Sequence, residues 1–290
     1  MTAPVVRTAR IGGSSDAFEV GSISKGLTGM LVADAVRRGE VRLDDTVGGL
    51  APSLAGAPVE AVTLLQLCTH TSGLPRLPVT VQMAARGWAY EVAGRDPYRG
   101  LGPDRVLADA ARQRLTHRGR FLYSNLGGAL AGQVVAAHLG TTYDDLVRTR
   151  LFEPLGLTSS HTGERDASAP PGRSAAGHHR APWWMDGYAP AGGVVSTIDD
   201  MAVLARALLD GSAPGLAALD PIEGVASERS DRRSGLFWVV DPGLTWHNGQ
   251  TGGYSSFLGL QRERGRAVVV LADLARVTDH ERLALTLLGE

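Results

Sequence analysis

The spacing of apolar and polar residues changes along the chain, and the changes mark the predicted elements. Residues 5–20 are typical of extended chain interrupted by a Gly- and Ser-rich turn, and from Ser22 onward apolar residues recur at helical spacing. This first helix is predicted to end in a basic turn followed by Gly39. Further helices are predicted over residues 63–71, 104–115, 126–139, 143–152, 197–210 and 278–288.

The last third of the chain has the spacing of consecutive strands. They are predicted over residues 236–240, 244–247, 255–261 and 267–271, with Gly-rich turns between them. Strands joined by short turns form antiparallel sheets, so the order predicts an α+β fold: an antiparallel sheet flanked by helices, with an inserted, mostly helical lobe. The early extended segment is expected to complete this sheet.

A single domain is expected over residues 1–290. Its sheet sub-domain is predicted to comprise residues 1–40 and 190–290 approximately, and its helical sub-domain about residues 41–189. Within the latter, residues 157–190 are rich in Ser, Gly, Pro, His and Trp and have no sustained period. A loop of that length inside a compact chain is usually functional or mobile.

Composition limits the classes of function. Of 290 residues, 29 are Lys or Arg and 30 are Asp or Glu, so the net charge of −1 provides no strong field for nucleic acid or anionic membranes. The single Cys68 cannot form an internal disulfide, and no stretch has the features of a signal peptide or a membrane span. We therefore expect a cytoplasmic protein with no nucleic-acid or membrane partner. No particular oligomeric state is predicted.

One lysine stands among 28 arginines, at Lys25. Arginine keeps its proton in proteins, whereas a desolvated lysine can become a neutral base. Ser22 lies three residues earlier, at the predicted start of the helix, so its hydroxyl and the amine share one helical face. This pairing is typical of an activated nucleophile. The alternative is an ordinary N-cap serine followed by a first-turn lysine.

The two asparagines of the chain likewise have both a functional and a purely structural interpretation. Asn125 follows Tyr123 and Ser124 directly before a predicted helix, where a plain N-cap is the alternative. Asn248 lies in a Gly-dense stretch at a strand edge, where a hairpin turn is the alternative.

Three motifs in order give these residues a common meaning. Together they resemble the signatures of the penicillin-recognising serine enzymes, most closely the branch of class C β-lactamases, D-alanyl-D-alanine peptidases and family VIII esterases. The motifs are Ser22-Ile23-Ser24-Lys25, Tyr123-Ser124-Asn125 and His247-Asn248-Gly249, with supporting stretches at residues 18–21, 64–74 and 190–197. The resemblance covers nearly the whole chain and implies a β-lactamase/transpeptidase-like fold.

The resemblance also implies roles for single residues. Ser22 would be the nucleophile that becomes acylated, and either Lys25 or Tyr123 would accept its proton. Asn125 would orient Lys25 and hydrogen-bond a substrate amide. The backbone N–H groups of Ser22 and Gln250 would form an oxyanion hole, and Gly249 would let the sheet edge approach the substrate.

Two departures from the family pattern matter. His247 stands where most β-lactamases and peptidases have a lysine that binds a substrate carboxylate, and a neutral histidine does this less well. We therefore expect an enzyme that is esterase-like rather than a dedicated β-lactamase. Only 21 residues precede Ser22, so the sheet is expected to lack an edge strand or to have that edge covered by a partner.

Other residues carry weaker expectations. Trp183 and Trp184 would wall an apolar acyl pocket or simply pack the long loop onto the core. His178 and His179 have no third metal ligand at useful spacing, so neither metal nor cofactor is expected. Cys68 is predicted to be a core residue.

Three functions remain open at this stage. The first is a serine hydrolase that acts through an acyl-Ser22 intermediate on a small-molecule ester, amide or lactam. The second is an acyltransferase that passes the same acyl group to an amine or alcohol. The third is a non-catalytic ligand-binding relative, which is disfavoured because every residue needed for acylation is present.

Overall fold

The computed structural model describes residues 4–12, 16–163 and 171–289. Its α-helices are α1 Ile23–Arg37, α2 Val47–Leu50, α3 Leu64–Cys68, α4 Val81–Ala93, α5 Pro103–Ala111, α6 Asn125–His138, α7 Tyr143–Val147, α8 Glu153–Leu155, α9 Ala189–Gly192, α10 Ile198–Asp210 and α11 Val277–Leu288. Its strands are β1 Val5–Ile11, β2 Phe18–Glu19, β3 His161–Thr162, β4 Gly172–Arg173, β5 His179–Arg180, β6 Val194–Ser196, β7 Arg233–Ser234, β8 Val239–Asp241, β9 Leu244–Gln250, β10 Ser255–Gln261 and β11 Arg266–Ala272.

The main sheet has six strands in the order β1-β11-β10-β9-β8-β7. All of them come from residues 5–11 and 233–272, while residues 41–189 contribute helices and short strands outside this sheet. Neighbouring strands are antiparallel except β1, which pairs with β11 in parallel from Val5 opposite Arg266 to Ile11 opposite Ala272. The α+β prediction is confirmed, and the early strand does join the sheet. The parallel pairing was not predicted, because strand patterning does not encode direction.

Helix α1 lies at the centre of the molecule. Its residues from Ile23 to Ala35 are all buried, and it packs against α6, α9 and the strands β9 and β10. Helices α10 and α11 both pack against β11. Within the described part of the chain, no helix combines the length and apolar character needed to cross a membrane.

Several local predictions were wrong, each for a physical reason. Helix α4 was missed because Val81, Trp88 and Val92 are exposed, so its apolar residues do not form a buried stripe. The strand predicted at 236–240 begins only at Val239, because Phe237 has a positive φ of 63° that breaks the extended chain.

The long loop predicted over residues 157–190 is partly ordered into short elements. The structure places β3, β4, β5 and α9 at or within its bounds, while residues 164–170 of that prediction lie outside the described residues. Strand β3 joins β6 and β2 in a second, three-stranded sheet, which leads the chain directly into Ser22.

Glycines in two helices give opposite predictions for stability. A Cβ on Gly29 of α1 would lie 2.0 Å from the carbonyl oxygen of Leu236, whereas a Cβ on Gly87 of α4 would have no neighbour within 4 Å. We expect Gly29→Ala to lower the free energy of unfolding by at least about 2 kcal/mol through overpacking. Gly87→Ala should raise it by about 0.5–1 kcal/mol through helix propensity. Urea denaturation of both variants tests this, and equal effects would contradict the packing of α1 described above.

Candidate active site

The Ser22 hydroxyl lies where the second sheet passes into α1. Ser22 occupies the N-cap position of α1 but makes no side-chain cap hydrogen bond. Its Oγ instead accepts hydrogen bonds from Lys25 Nζ at 3.0 Å and from Tyr123 Oη at 2.8 Å. The structure therefore brings the three residues together, and the simple N-cap alternative for Ser22 is wrong.

Lys25 is completely buried. Besides its bond to Ser22, its Nζ donates to the carbonyl oxygen of Ala191 in α9 at 2.5 Å. No carboxylate of the described residues lies within ion-pair distance of this amine. Burial lowers the pKa of Lys25, and its interaction with Tyr123 only partly offsets this.

Tyr123 is held by the turn that precedes α6. Lys25 Nζ lies 5.0 Å from the centre of its ring, and the guanidinium of Arg76 lies 5.5 Å from the same centre. Ser124, the next residue, caps α6 by accepting from Gly127 N–H at 2.8 Å. The phenol is thus fixed by the cap of a buried helix, with the side chains of Lys25 and Arg76 against its ring.

Asn125 differs from expectation in two ways. The N-cap is Ser124, so Asn125 is the first residue of α6 and its side chain is available to the site. Its Nδ2 donates to Tyr98 Oη at 3.5 Å, while its Oδ1 is buried without a hydrogen-bond partner. The expected contact that orients Lys25 is therefore absent, because Ser22 and Ala191 already hold that amine.

The third motif lies inside strand β9. Asn248 pairs with Phe257 of β10, so the hairpin-turn alternative is wrong. A Cβ on Gly249 would lie 2.0 Å from the carbonyl oxygen of Val20 and 3.0 Å from the N–H nitrogen of Ser22. Gly249 is therefore required by the approach of the protein's own chain, not only by a substrate. Gln250 ends the strand, and its backbone nitrogen lies beside Gly21.

Two histidines at the site are uncharged. Burial and the nearby Lys25 lower the pKa of His247 to about 4, and its Nδ1 lies 2.5 Å from the carbonyl oxygen of Asn248. His70 was not singled out from the sequence. Burial lowers its pKa well below the usual value, and its Nδ1 accepts from the Ser124 N–H at 3.2 Å. Its ring centre lies 4.5 Å from that of Tyr123.

A cavity of about 480 Å³ opens from Ser22 along β9. Five motif residues line it, together with Arg76 and Arg233 among others: Ser22, Tyr123, His247, Asn248 and Gly249. Neither Trp183 nor Trp184 lines it. Trp184 is buried, and Trp183 packs against the rings of Tyr90 and Tyr98, which matches the packing alternative for the two tryptophans.

The remaining candidates are Cys68, His178 and His179. Cys68 is fully buried, and burial raises the pKa of its thiol. His178 and His179 flank the start of strand β5, and no group of three or more His, Cys, Asp or Glu suited to a metal occurs in the described ranges.

Comparison with known proteins identifies the family. A sequence profile described as Beta-lactamase matches residues 14–288. The chain belongs to the Beta-lactamase family. This beta-lactamase-family chain is 32% identical over 191 residues to a beta-lactamase of Escherichia coli (strain K12), covering 64% of the chain and 46% of that protein. It is 32% identical over 214 residues to penicillin-binding protein 4 of Amycolatopsis lactamdurans, covering 68% of the chain and 52% of that protein. The chain thus spans about half the length of these curated relatives.

Solved structures agree on the fold. A D-stereospecific amidohydrolase from Streptomyces sp. matches with a TM-score of 0.74 at 23% identity, over 91% of this beta-lactamase-family chain and 84% of that chain. A class C beta-lactamase matches with a TM-score of 0.75 at 19% identity, over 94% and 82% of the two chains. The resemblance inferred from the three motifs is confirmed.

The uncharged state of His247 predicts a pH dependence of stability. Its pKa is about 4 in the folded chain against about 6.5 when unfolded, so its contribution is fully present above pH 6.5 and is lost as the pH falls toward 4. Relative to His247→Gln, the wild type should lose about 3 kcal/mol of unfolding free energy between pH 7 and 4. Urea denaturation across this range measures the difference. Parallel curves for the two proteins would show that His247 is charged in the folded state.

Proposed function

We propose that this protein is a serine hydrolase that acts through an acyl-Ser22 intermediate on small-molecule esters, amides or lactams, with an esterase-like preference. One observation carries the proposal: Ser22 Oγ accepts hydrogen bonds from a tyrosine phenol and from a buried lysine amine that has no carboxylate partner among the described residues. A nucleophilic hydroxyl next to a base of lowered pKa is the arrangement that acyl transfer to serine requires.

Acylation then follows from the positions of these groups. Ser22 Oγ attacks the substrate carbonyl carbon while its proton passes to Tyr123 or Lys25, both within hydrogen-bonding distance. A tetrahedral oxyanion results. It collapses when the bond to the leaving group breaks, and the leaving oxygen or nitrogen takes up the proton. Water attacks the acyl-Ser22 ester by the same route and restores the hydroxyl.

The oxyanion needs donors that are fixed before the reaction. The backbone N–H groups of Ser22 and Gln250 are assigned this role because the tight contact between Gly249 and the Val20–Ser22 segment brings the two backbones together. One such donor typically contributes about 2.7–4 kcal/mol to transition-state stabilisation. The unpartnered Oδ1 of Asn125 is available to accept a hydrogen bond from a substrate N–H group.

The charge state of His247 supports the esterase-like preference. A histidine whose pKa is about 4 supplies no cation for a substrate carboxylate at neutral pH. The similar proteins are named as a beta-lactamase, a penicillin-binding protein and, for the fold alone, a D-stereospecific amidohydrolase, so their names do not single out one substrate. A neutral acyl ester is therefore the proposed substrate class.

An acyltransferase is the second candidate. The cavity of about 480 Å³ extends past Ser22 toward Arg233, which gives an acyl acceptor room beyond the reacting carbonyl. In that case an amine or alcohol replaces water in the second step. The chemistry of acyl-Ser22 formation is identical.

Covalent labelling tests both candidates. Incubation with a small activated ester, followed by intact-protein mass spectrometry, should show a transient acyl adduct in the wild type and none in Ser22→Ala. When an amine or alcohol acceptor is added, a hydrolase should still release the free acid, whereas a transferase should form the acylated acceptor instead. A complete lack of adduct with activated esters and fluorophosphonates would overturn both enzyme functions and favour the ligand-binding relative.

Lys25→Arg tests the role of the amine. Arginine keeps the positive charge but cannot give up its proton, and its larger head does not fit the fully buried site between Ser22 and Ala191. We expect the acylation rate to fall at least ~10³-fold, within the range for loss of general-base catalysis. Stopped-flow release of nitrophenol measures it, with circular dichroism as the control for folding. Near-wild-type acylation would refute a proton-transfer role for Lys25.

A further inference from the structure

Glu19 is a buried acid that the proposed mechanism does not use. It lies in β2, three residues before Ser22, and is 6% exposed. Its Oε1 accepts a hydrogen bond from the backbone N–H of Trp183 at 2.8 Å, while its Oε2 is buried without a hydrogen-bond partner. A buried carboxylate normally has a cation or several donors around it, so this environment suits the uncharged acid.

The groups that face Glu19 favour its neutral form. Asp96, after α4, adds a like charge, and Tyr254 of the β9–β10 turn is the other ionisable group beside it. In the described part of the chain, no Lys, Arg or His forms an ion pair with Glu19. Burial raises the pKa of Glu19 to about 8, although Thr251 and the Trp183 N–H lower it in part.

The carboxyl group stands between the two backbone segments that carry the assigned oxyanion donors. On one side β2 runs through Gly21 into the N–H of Ser22. On the other, Glu19 Oε1 accepts from the N–H of Trp183, and the indole of Trp183 lies against the β9–β10 turn that follows Gln250. A Cβ on Gly252 of that turn would lie 2.8 Å from Trp183 Nε1.

We propose that Glu19 is a positioning residue that works as an uncharged carboxylic acid, joining the strand that leads into Ser22 to the strand end that carries the Gln250 N–H. As a neutral acid it accepts from the Trp183 N–H without leaving an uncompensated charge on the buried, unpartnered Oε2. The inference rests on the proposed function, because it concerns the separation of the two oxyanion donors.

Ionisation would undo this arrangement. A carboxylate in this position has no cation and lies near Asp96, so it must draw in water, which separates Trp183 from Gly252 and loosens the Gln250–Thr251 strand end. The oxyanion of the transition state is then stabilised less, because its two N–H donors no longer have a fixed spacing. Turnover should therefore decline at alkaline pH as Glu19 loses its proton.

Glu19→Gln gives the first test. Glutamine has the same shape, accepts through its oxygen and donates through its amide, but does not ionise. The measurement is kcat/KM for hydrolysis of a nitrophenyl ester at pH 9, divided by kcat/KM at pH 6.5. This ratio should be about five- to tenfold higher in Glu19→Gln than in the wild type, and the change should lie in kcat and not in KM. Dividing the two pH profiles cancels every ionisation that the two proteins share. Equal ratios would overturn the proposal.

Asp96→Asn is the matched control. Asp96 is a partly buried acid, and it holds the same loop by accepting from the N–H groups of Trp184 at 3.0 Å and Tyr98 at 2.8 Å. Its hydrogen bonds do not go to Trp183, the residue that lies against the β9–β10 turn, so the alkaline decline should persist in this variant. If Asp96→Asn abolished the decline as fully as Glu19→Gln, the decline would belong to loop stability and not to Glu19.

A second measurement does not depend on catalysis. In a Ser22→Ala background, the folded chain holds the Glu19 proton up to about pH 8, while the unfolded chain releases it near 4.5. The unfolding equilibrium should therefore shift toward the unfolded state by about tenfold per pH unit between pH 5 and 8, relative to the same chain with Glu19→Gln. Parallel curves would overturn the neutral acid. This measurement does not depend on acylation of Ser22. The proposed function could therefore fail while Glu19 is still shown to be a neutral acid, and the two failures are distinguishable.

Discussion

Burying an amine without a carboxylate partner destabilises its charged form, and Lys25 is in that position. Its two short contacts go to Ser22 and to the carbonyl of Ala191, both neutral. Placing it there requires α1 to be enclosed by α6, α9 and the sheet, since water would otherwise solvate the amine. The all-round burial of α1 therefore serves the protonation state of one side chain as well as the stability of the core. The two requirements explain why the helix at the centre of the fold is also the one that carries the nucleophile.

The close backbone contacts of the site depend on residues without side chains. Gly249 lets β9 approach Val20 and Ser22, and Gly29 lets α1 approach the carbonyl of Leu236. At both positions a methyl group would overlap a backbone oxygen, which cannot move aside as a flexible side chain can. The backbone is thus closely packed at two points that flank Lys25 along the chain, at Val20–Ser22 before it and at Gly29 after it.

Prediction from the sequence succeeded where chemistry depends on residue type and short spacing. The single lysine, three residues after Ser22, and the order of the three motifs were enough to infer the family and to name the residues that meet at Ser22. It failed where the reason lies in distant contacts. His70 and Glu19 look ordinary in sequence, and only their burial beside Lys25 or Trp183 makes them neutral. Asn125 was expected to contact Lys25, but Ala191, distant in sequence, takes that place. Likewise α4 has no buried stripe to reveal it, and the direction of β1 is set by its partner strand.

Neutrality is the property that the two missed residues, His70 and Glu19, share with His247, which the sequence did single out. His70, His247 and Glu19 are each buried near the reacting groups, and burial shifts each pKa toward the uncharged form. A charged histidine near Lys25 would make that amine still harder to protonate, and a carboxylate in contact with it would hold its proton in place. Surrounding the amine with uncharged polar groups avoids both extremes, and the Arg76 guanidinium beside Tyr123 lowers the pKa of Lys25 further. The proton near Ser22 can then move between Lys25 and Tyr123 under the influence of the substrate, because no carboxylate of the described residues holds it on the amine.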